Sequence, residues 1–330
     1  MTQDVEQSGP GQPRGGSDGV LLGFDAGWDS PRPLRIAADE AAARQGRLVV
    51  ITVAAPGPVG RATPHDPDVH RGQRAAARAA RVRHPGLPIS TVHLHDGEVS
   101  RSEPLFAGAA RLVLGRTGQR GGLFGNDPAG RLLIRAVSCP TLVVPAHRPG
   151  PRPALPVRDA EIGEWGPVLA AVPDGERGAE VIRVAEEERQ RRGCELHLLH
   201  AFDQLPGESR SQALHRAADA MTALTEEAGL GPGSAWCVIL TRQSPSEAVL
   251  ERAGAAGLVV LAGAGGTDGE PGGSRLVRDL LDRYTCPVVL LPARRRPPID
   301  DPAGARHTRD SVPGCGRGTR RPERTAAATR

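Results

Sequence analysis

Two glycine-rich runs hold the residues whose types and spacing best suit ligand chemistry. Gly115-Arg-Thr-Gly118-Gln-Arg-Gly-Gly-Leu-Phe-Gly-Asn-Asp127-Pro128 follows the apolar stretch Leu112-Val-Leu. Gly263-Ala-Gly265-Gly-Thr-Asp-Gly-Glu-Pro-Gly-Gly273-Ser274 follows Leu258-Val-Val-Leu261-Ala262. Glycines let backbone come close to a ligand and present N–H groups, and a helix beginning after such a run turns its positive end toward the same place, an arrangement suited to phosphate. Ser274 is placed to cap that helix or to donate to a phosphate. Asp25 directly follows Val20-Leu-Leu-Gly-Phe24 and adds a carboxylate at a strand end.

Other chemistry is less well supported. His93 and His95 alternate along one segment beside Asp96, but no third ligand is set by spacing, so a polar strand edge is the plainer reading. Cys139 and Cys286 each precede proline and an apolar run, which suits core thiols better than reactive ones. No Gly-x-Ser-x-Gly elbow anchors a hydrolase triad. Asp39-Glu40 and Glu186-Glu-Glu188 read as solvated helix faces.

Composition removes whole classes of activity. All 42 basic residues are arginine, so the phosphate-loop lysine, Schiff-base chemistry and the kinase lysine are excluded. Three Trp, one Tyr and four Phe in 330 residues are too few for a base-stacking platform. Five scattered cysteines without a Cys-x-x-Cys pair fit reduced thiols, no apolar run approaches membrane length, and no leader is visible. The expectation is a soluble, cytoplasmic protein with no membrane partner.

The elements that position the glycine-rich runs are written twice. Cys139-Pro140 recurs as Cys286-Pro287 and Leu112–Gly115 as Val259–Ala262, both at an offset of 147. Ala38-Asp-Glu…Gly46 is read against Ala185-Glu-Glu…Gly193 at the same offset, and Val20–Phe24 against Val168–Val172 at 148, which puts an insertion in the turn after the first strand. Such a period means duplicated domains. In each copy short apolar strands alternate with amphipathic helices, the pattern of a parallel sheet covered on both faces. Strands are expected at Val20–Phe24, Leu48–Val53, Ile89–Leu94, Arg111–Gly115 and Thr141–Val144, then at Val168–Val172, Leu196–Ala201, Trp236–Leu240, Leu258–Leu261 and Val288–Leu291. Helices fall near Leu34–Arg44, His70–Arg83, Ser102–Ala109 and Ala129–Val137 in the first copy, and at Ala179–Arg191 and from about Arg275 in the second.

The expected domains are 19–147 and 165–293, with 148–164 a proline-rich linker. Residues 1–18 and the Arg-rich 294–330 read as disordered tails. The last tail holds ten Arg against four acids, so it carries the basic balance and its affinity for nucleic acid is weak phosphate attraction alone.

This pattern resembles the universal stress protein family in its tandem, two-domain form. The likeness rests on Gly-Phe-Asp25 with the Ser30 to Leu34 helix start, the glycine-rich segment after strand four, and the terminal Cys-Pro before a strand. It implies two doubly wound α/β domains, each a five-stranded parallel sheet of the adenine nucleotide alpha hydrolase-like kind. ATP-binding members carry Gly-x2-Gly-x9-Gly-Ser/Thr after the fourth strand, an aspartate after the first and a valine near the end of the second. Carried over, the nucleotide-binding set is Asp25, Val53, Gly115 and Gly118 in the first half and Gly265, Gly273 and Ser274 in the second. ATP with magnesium is the implied ligand.

Each half departs from that motif. The first reaches Asp127-Pro128 where the family has Gly-Ser, and a carboxylate facing phosphate at ~4 Å would repel it by about 4 kcal/mol at an effective dielectric near 20. The second has Pro173 at the aspartate position, Asp174 one residue later, and a loop two residues shorter. The implied role is a non-catalytic regulatory module with weak or partial adenine-nucleotide binding, whose halves pair through Thr141–Val144 and Val288–Leu291 and which acts on regulatory protein partners. The alternatives are a nucleotide-free interaction scaffold of the same fold and a nucleotide hydrolase.

Overall fold

The computed structural model describes residues 19–24, 31–54, 67–99, 101–115, 128–145, 166–231, 236–263, 275–284 and 286–292. The first half contains β1 (Gly19–Gly23), α1 (Arg32–Ala43), β2 (Leu48–Ala54), α2 (Pro67–Arg83), β3 (Ile89–His95), α3 (Asp96–Val99), α4 (Glu103–Phe106), β4 (Ala109–Gly115), α5 (Pro128–Ala136) and β5 (Thr141–Val144). The second contains β6 (Val168–Ala171), α6 (Glu176–Arg192), β7 (Leu196–Ala201), α7 (Arg210–Glu227), β8 (Trp236–Thr241), α8 (Pro245–Ala253), β9 (Leu258–Leu261), α9 (Arg275–Arg283) and β10 (Val288–Leu290). The two tails and the 148–164 segment lie outside the described residues.

All ten strands form one sheet, in the order β3-β2-β1-β4-β5-β10-β9-β6-β7-β8. Within each half every pairing is parallel, and β5 meets β10 antiparallel, with Leu142 opposite Val289. The α/β class expected from the strand–helix alternation is the class observed. The strands away from the sheet's ends are unbroken apolar runs because helices cover both of their faces. β5, β9 and β10 are buried at every residue, while the edge strand β8 is half-exposed along most of its length.

Two apolar cores follow from the pleat. One lies under α1, α2, α6 and α7 and runs across both halves, including Val20, Ala37, Leu142, Val168, Ile182 and Val289. The other lies under α3, α4, α5, α8 and α9 on the opposite face. Local chemistry sets the helix limits in the second half. Gly175 (φ 73°) and Gly193 (φ 61°) bracket α6, Ser209 and Gln212 form a capping box on α7, and Ser244 caps α8 ahead of Pro245.

Two expectations are corrected. The helix read at Ser102–Ala109 is the single turn α4, preceded by the single turn α3, where the second half has the continuous α8. Pro104 aligns with the interior of α8, where it would remove a helical hydrogen bond, so a new helix starts around it. The repeat offset also changes at a different place. Val20 beside Leu48 is answered by Val168 beside Leu196, and Leu112 beside Thr141 by Val259 beside Val288. The offset is therefore 148 through β1, α1 and β2, and 147 from β3 onward. The left-handed residue that ends α1 is Gln45 (φ 52°), which answers Gly193. Matching Gly46 with Gly193 followed residue type, whereas the helix end demands a backbone conformation.

Candidate functional site

In the first half β1 lies between β2 and β4, so the strand order reverses between β1 and β4. In such a sheet ligands bind outside the carboxyl ends at that reversal. Gly23 sits beside Ile51 on one side and Leu114 on the other, and Phe24 N–H donates to the Ile51 carbonyl at 2.7 Å. Gly115 is therefore the next residue along the same edge, buried at the end of β4, and Val53 is half-buried near the end of β2. Of the carried-over set, these two stand on either side of β1. Asp25, Gly118, Gly265, Gly273 and Ser274 lie outside the described residues, as do Ser30 and Asp127.

Helix α5 follows the glycine-rich run and packs over β1 and β4. A Cβ on Gly23 would stand 2.4 Å from Leu114 Cδ2 and 2.9 Å from Leu133 Cδ1, so the absence of a side chain at Gly23 admits the α5 leucine. The amino end of α5 lies toward the same edge, where the first-turn N–H groups and positive dipole of a helix favour an anion.

At the equivalent edge of the second half the loop after β6 is tightly packed. After Val172 only Pro173-Asp174-Gly175 precede α6. A Cβ on Gly178 would come 2.4 Å from the Pro173 carbonyl oxygen and 2.9 Å from Leu224 Cδ1, so the first turn of α6 sits directly on the loop. His200, 2% exposed, holds the strand end by donating from Nδ1 to the Val172 carbonyl at 3.0 Å, with the exposed Asp174 carboxylate 3.7 Å from its Nε2. The position of His200 in the first half is Thr52, which accepts from Gln73 Nε2 at 2.9 Å and lies 2.7 Å from His93 Nδ1. His93 therefore belongs to a polar network joining β2, β3 and α2. Among the described residues no group of three metal-ligating side chains converges. Burial pushes both the Cys139 and Cys286 thiols up to about 11, so neither is a thiolate at neutral pH.

One cluster went unseen in the sequence. Glu188, read as a solvated helix face, is 1% exposed and lies over the join between the halves. Arg111 of β4, itself 1% exposed, reaches across to hydrogen-bond Glu188 of α6, and its Nε stands 3.5 Å from Glu40 of α1. Arg191 and Arg192 close on Glu188 from its own helix, the latter at 3.2 Å, and Arg44 pairs with Glu40 at 2.9 Å. Burial works to raise the Glu188 carboxyl, but the fields of Arg111, Arg191 and Arg192 outweigh it and hold the group at about 2. Burial likewise opposes the Arg111 charge, and Glu188 and Glu40 keep it protonated. The signals were present: Arg111 interrupts a buried strand, and Glu188 continues the Val181, Ala185 stripe of α6.

Residues 17–145 match the model of the universal stress protein family. The first half of this chain belongs to the universal stress protein family. A putative universal stress protein from Pseudomonas aeruginosa is similar in fold, at 17% identity and a TM-score of 0.55 over 83% of this chain and 92% of that one. A universal stress protein from Archaeoglobus fulgidus gives 15% identity and a TM-score of 0.54 over 83% and 98%. Another from the same organism, solved in complex with dAMP, gives 19% identity and a TM-score of 0.30 over 38% and 98%. No curated protein matches the sequence. Among the described residues no helix is long and apolar enough to cross a membrane.

Proposed function

We propose that this universal stress protein is a non-catalytic regulatory module that takes adenine nucleotide weakly at the carboxyl edge of its first half. The observation that supports the reading is the placement of Gly115 at the end of β4, beside β1 at the reversal of strand order, with the amino end of α5 on the same edge. Backbone N–H groups there would hold phosphates and Val53 would border the base, with magnesium arriving on the nucleotide. Asp25 and Gly118 complete the set through the family pattern.

Calorimetry of the intact chain with ATP and magnesium tests this. Saturable heat at millimolar nucleotide that is lost on Asp25→Asn is expected. No heat at that concentration overturns the nucleotide reading and leaves the scaffold. Phosphate release above background that disappears in the same variant overturns the non-catalytic part. A second reading applies to the second half alone. The tight Pro173 carbonyl–Gly178 contact and the capped strand end favour a structural partner there, one that supports the first half without a ligand of its own.

A further inference from the structure

The two halves are related by an approximate two-fold axis that passes between Leu142 and Val289. The register shows this: Val288 faces Val143, Val289 faces Leu142 and Leu290 faces Thr141, and an offset of 147 maps this pairing onto itself. At the offset of 148 that governs the first two strands and the helix between them, Glu40 and Glu188 are mates across the axis, as are Arg44 and Arg192. Each mate makes the same contact within its own helix, Glu40 to Arg44 and Glu188 to Arg192, four residues apart.

Arg111 breaks the symmetry. Its mate is Leu258, buried at the same register position of β9, where Val168 stands beside Leu258 as Val20 stands beside Arg111. The Arg111 guanidinium contacts Glu188 and lies 3.5 Å from Glu40, so it touches both members of an axis-related pair from the sheet. Arg191, whose mate is Ala43, contacts Glu188 and stands 3.8 Å from Glu40 from the helix layer.

We propose that Arg111 is the residue that commits the two halves to pairing with each other rather than like with like. Two first halves paired about this axis would bring two buried Arg111 guanidinium groups together in a setting with little solvent screening. Two second halves would have leucine at both strand positions and leave each buried Glu188 only the arginines of its own helix, Arg191 and Arg192. A removed partner in a buried ion pair is strongly destabilising, so both like pairings are disfavoured and the unlike one is kept. The partner surface of each half is the other half of this chain, selected by the strand position at which one half has arginine and the other leucine.

The test moves the arginine across the axis in the intact chain. Arg111→Leu leaves no strand arginine at the axis and Leu258→Arg places two, and each is expected to lower the urea midpoint of unfolding by about 1 M or more. The double variant Arg111→Leu/Leu258→Arg again places one and is expected to regain most of that loss. A single variant that fails to fold while the double variant folds is the same result in stronger form. A double variant that does not fold, or is no more stable than the weaker single, overturns the proposal. As a second measurement, a protease site inserted between residues 150 and 160 is cut in the folded protein and the pairs are weighed by native mass spectrometry. Unlike pairs are expected from the parent sequence, with like pairs gained in Arg111→Gln. Like pairs in the parent, or halves that separate, count against it.

Discussion

The two halves share one strand order, and their carboxyl edges differ. In the first, β1 runs out beside Gly115, and the side chain missing from Gly23 lets α5 close over the strand pair. In the second, Ala171 occupies the position of Gly23, a three-residue loop leads straight into α6, and His200 ties off the strand end. In the second half the residues after β6 are thus spent on packing.

The strongest test of that contrast is at the join, where the mates Glu40 and Glu188 are not equally placed. Glu188→Ala is expected to destabilise the protein by about 3–5 kcal/mol, since it leaves Arg111 buried without its main partner. Glu40→Ala should cost less, because the Glu40 carboxylate is 10% exposed against 1% for Glu188 and Arg44 can turn to solvent. Denaturant titration of the two variants side by side checks the order, and equal losses would break the comparison.

The same pair sets an acid limit. The Glu188 carboxyl is held at about 2 in the fold against an ordinary 4.5, so its contribution is fully present above about 4.5 and is lost as pH falls toward 2. Unfolding midpoints measured from pH 6 down to pH 2.5 should fall steeply in the parent protein. In Glu188→Gln the slope should be shallower, and a parallel slope would remove Glu188 from the account.

Glycine exchanges read the two edges separately. Gly178→Ala is expected to cost about 1–3 kcal/mol, because its new methyl meets the Pro173 carbonyl, a backbone atom that cannot turn aside. Gly23→Ala meets only the ends of leucine side chains, and its repeat mate is already alanine, so thermal melting should show a smaller loss, about 1 kcal/mol. A similar energy is expected at the glycine-rich edge. Asp127→Gly removes a carboxylate from the phosphate end of the motif; with solvent screening reducing the ~4 kcal/mol of a close carboxylate–phosphate pair, it should tighten ATP binding about threefold to tenfold, roughly 0.7–1.4 kcal/mol, by calorimetry at low salt. Unchanged affinity would mean that this carboxylate does not face the ligand.

Much of the fold could be read from residues in order. The ten strands were legible because a strand buried on both faces is a short apolar run, and helices were legible from their stripes. The candidate edge was legible only in part. Val53 lies near the end of β2 and Gly115 at the end of β4, but whether an edge is open depends on how closely the next helix lies over it. Gly178 beside Pro173 shows this, since nothing local to either residue announces the contact.

Residue types and their repetition determined the alternation, the duplication and the absence of lysine chemistry, because these depend on neighbours along the chain. The tertiary structure decided the fate of Glu188, of Arg111 and of the repeat register between α1 and α6. A carboxylate on a helix stripe and an arginine in a strand look like surface charge until another element folds over them. Their burial is imposed by residues more than seventy positions away, and only packing brings those charges within reach of each other.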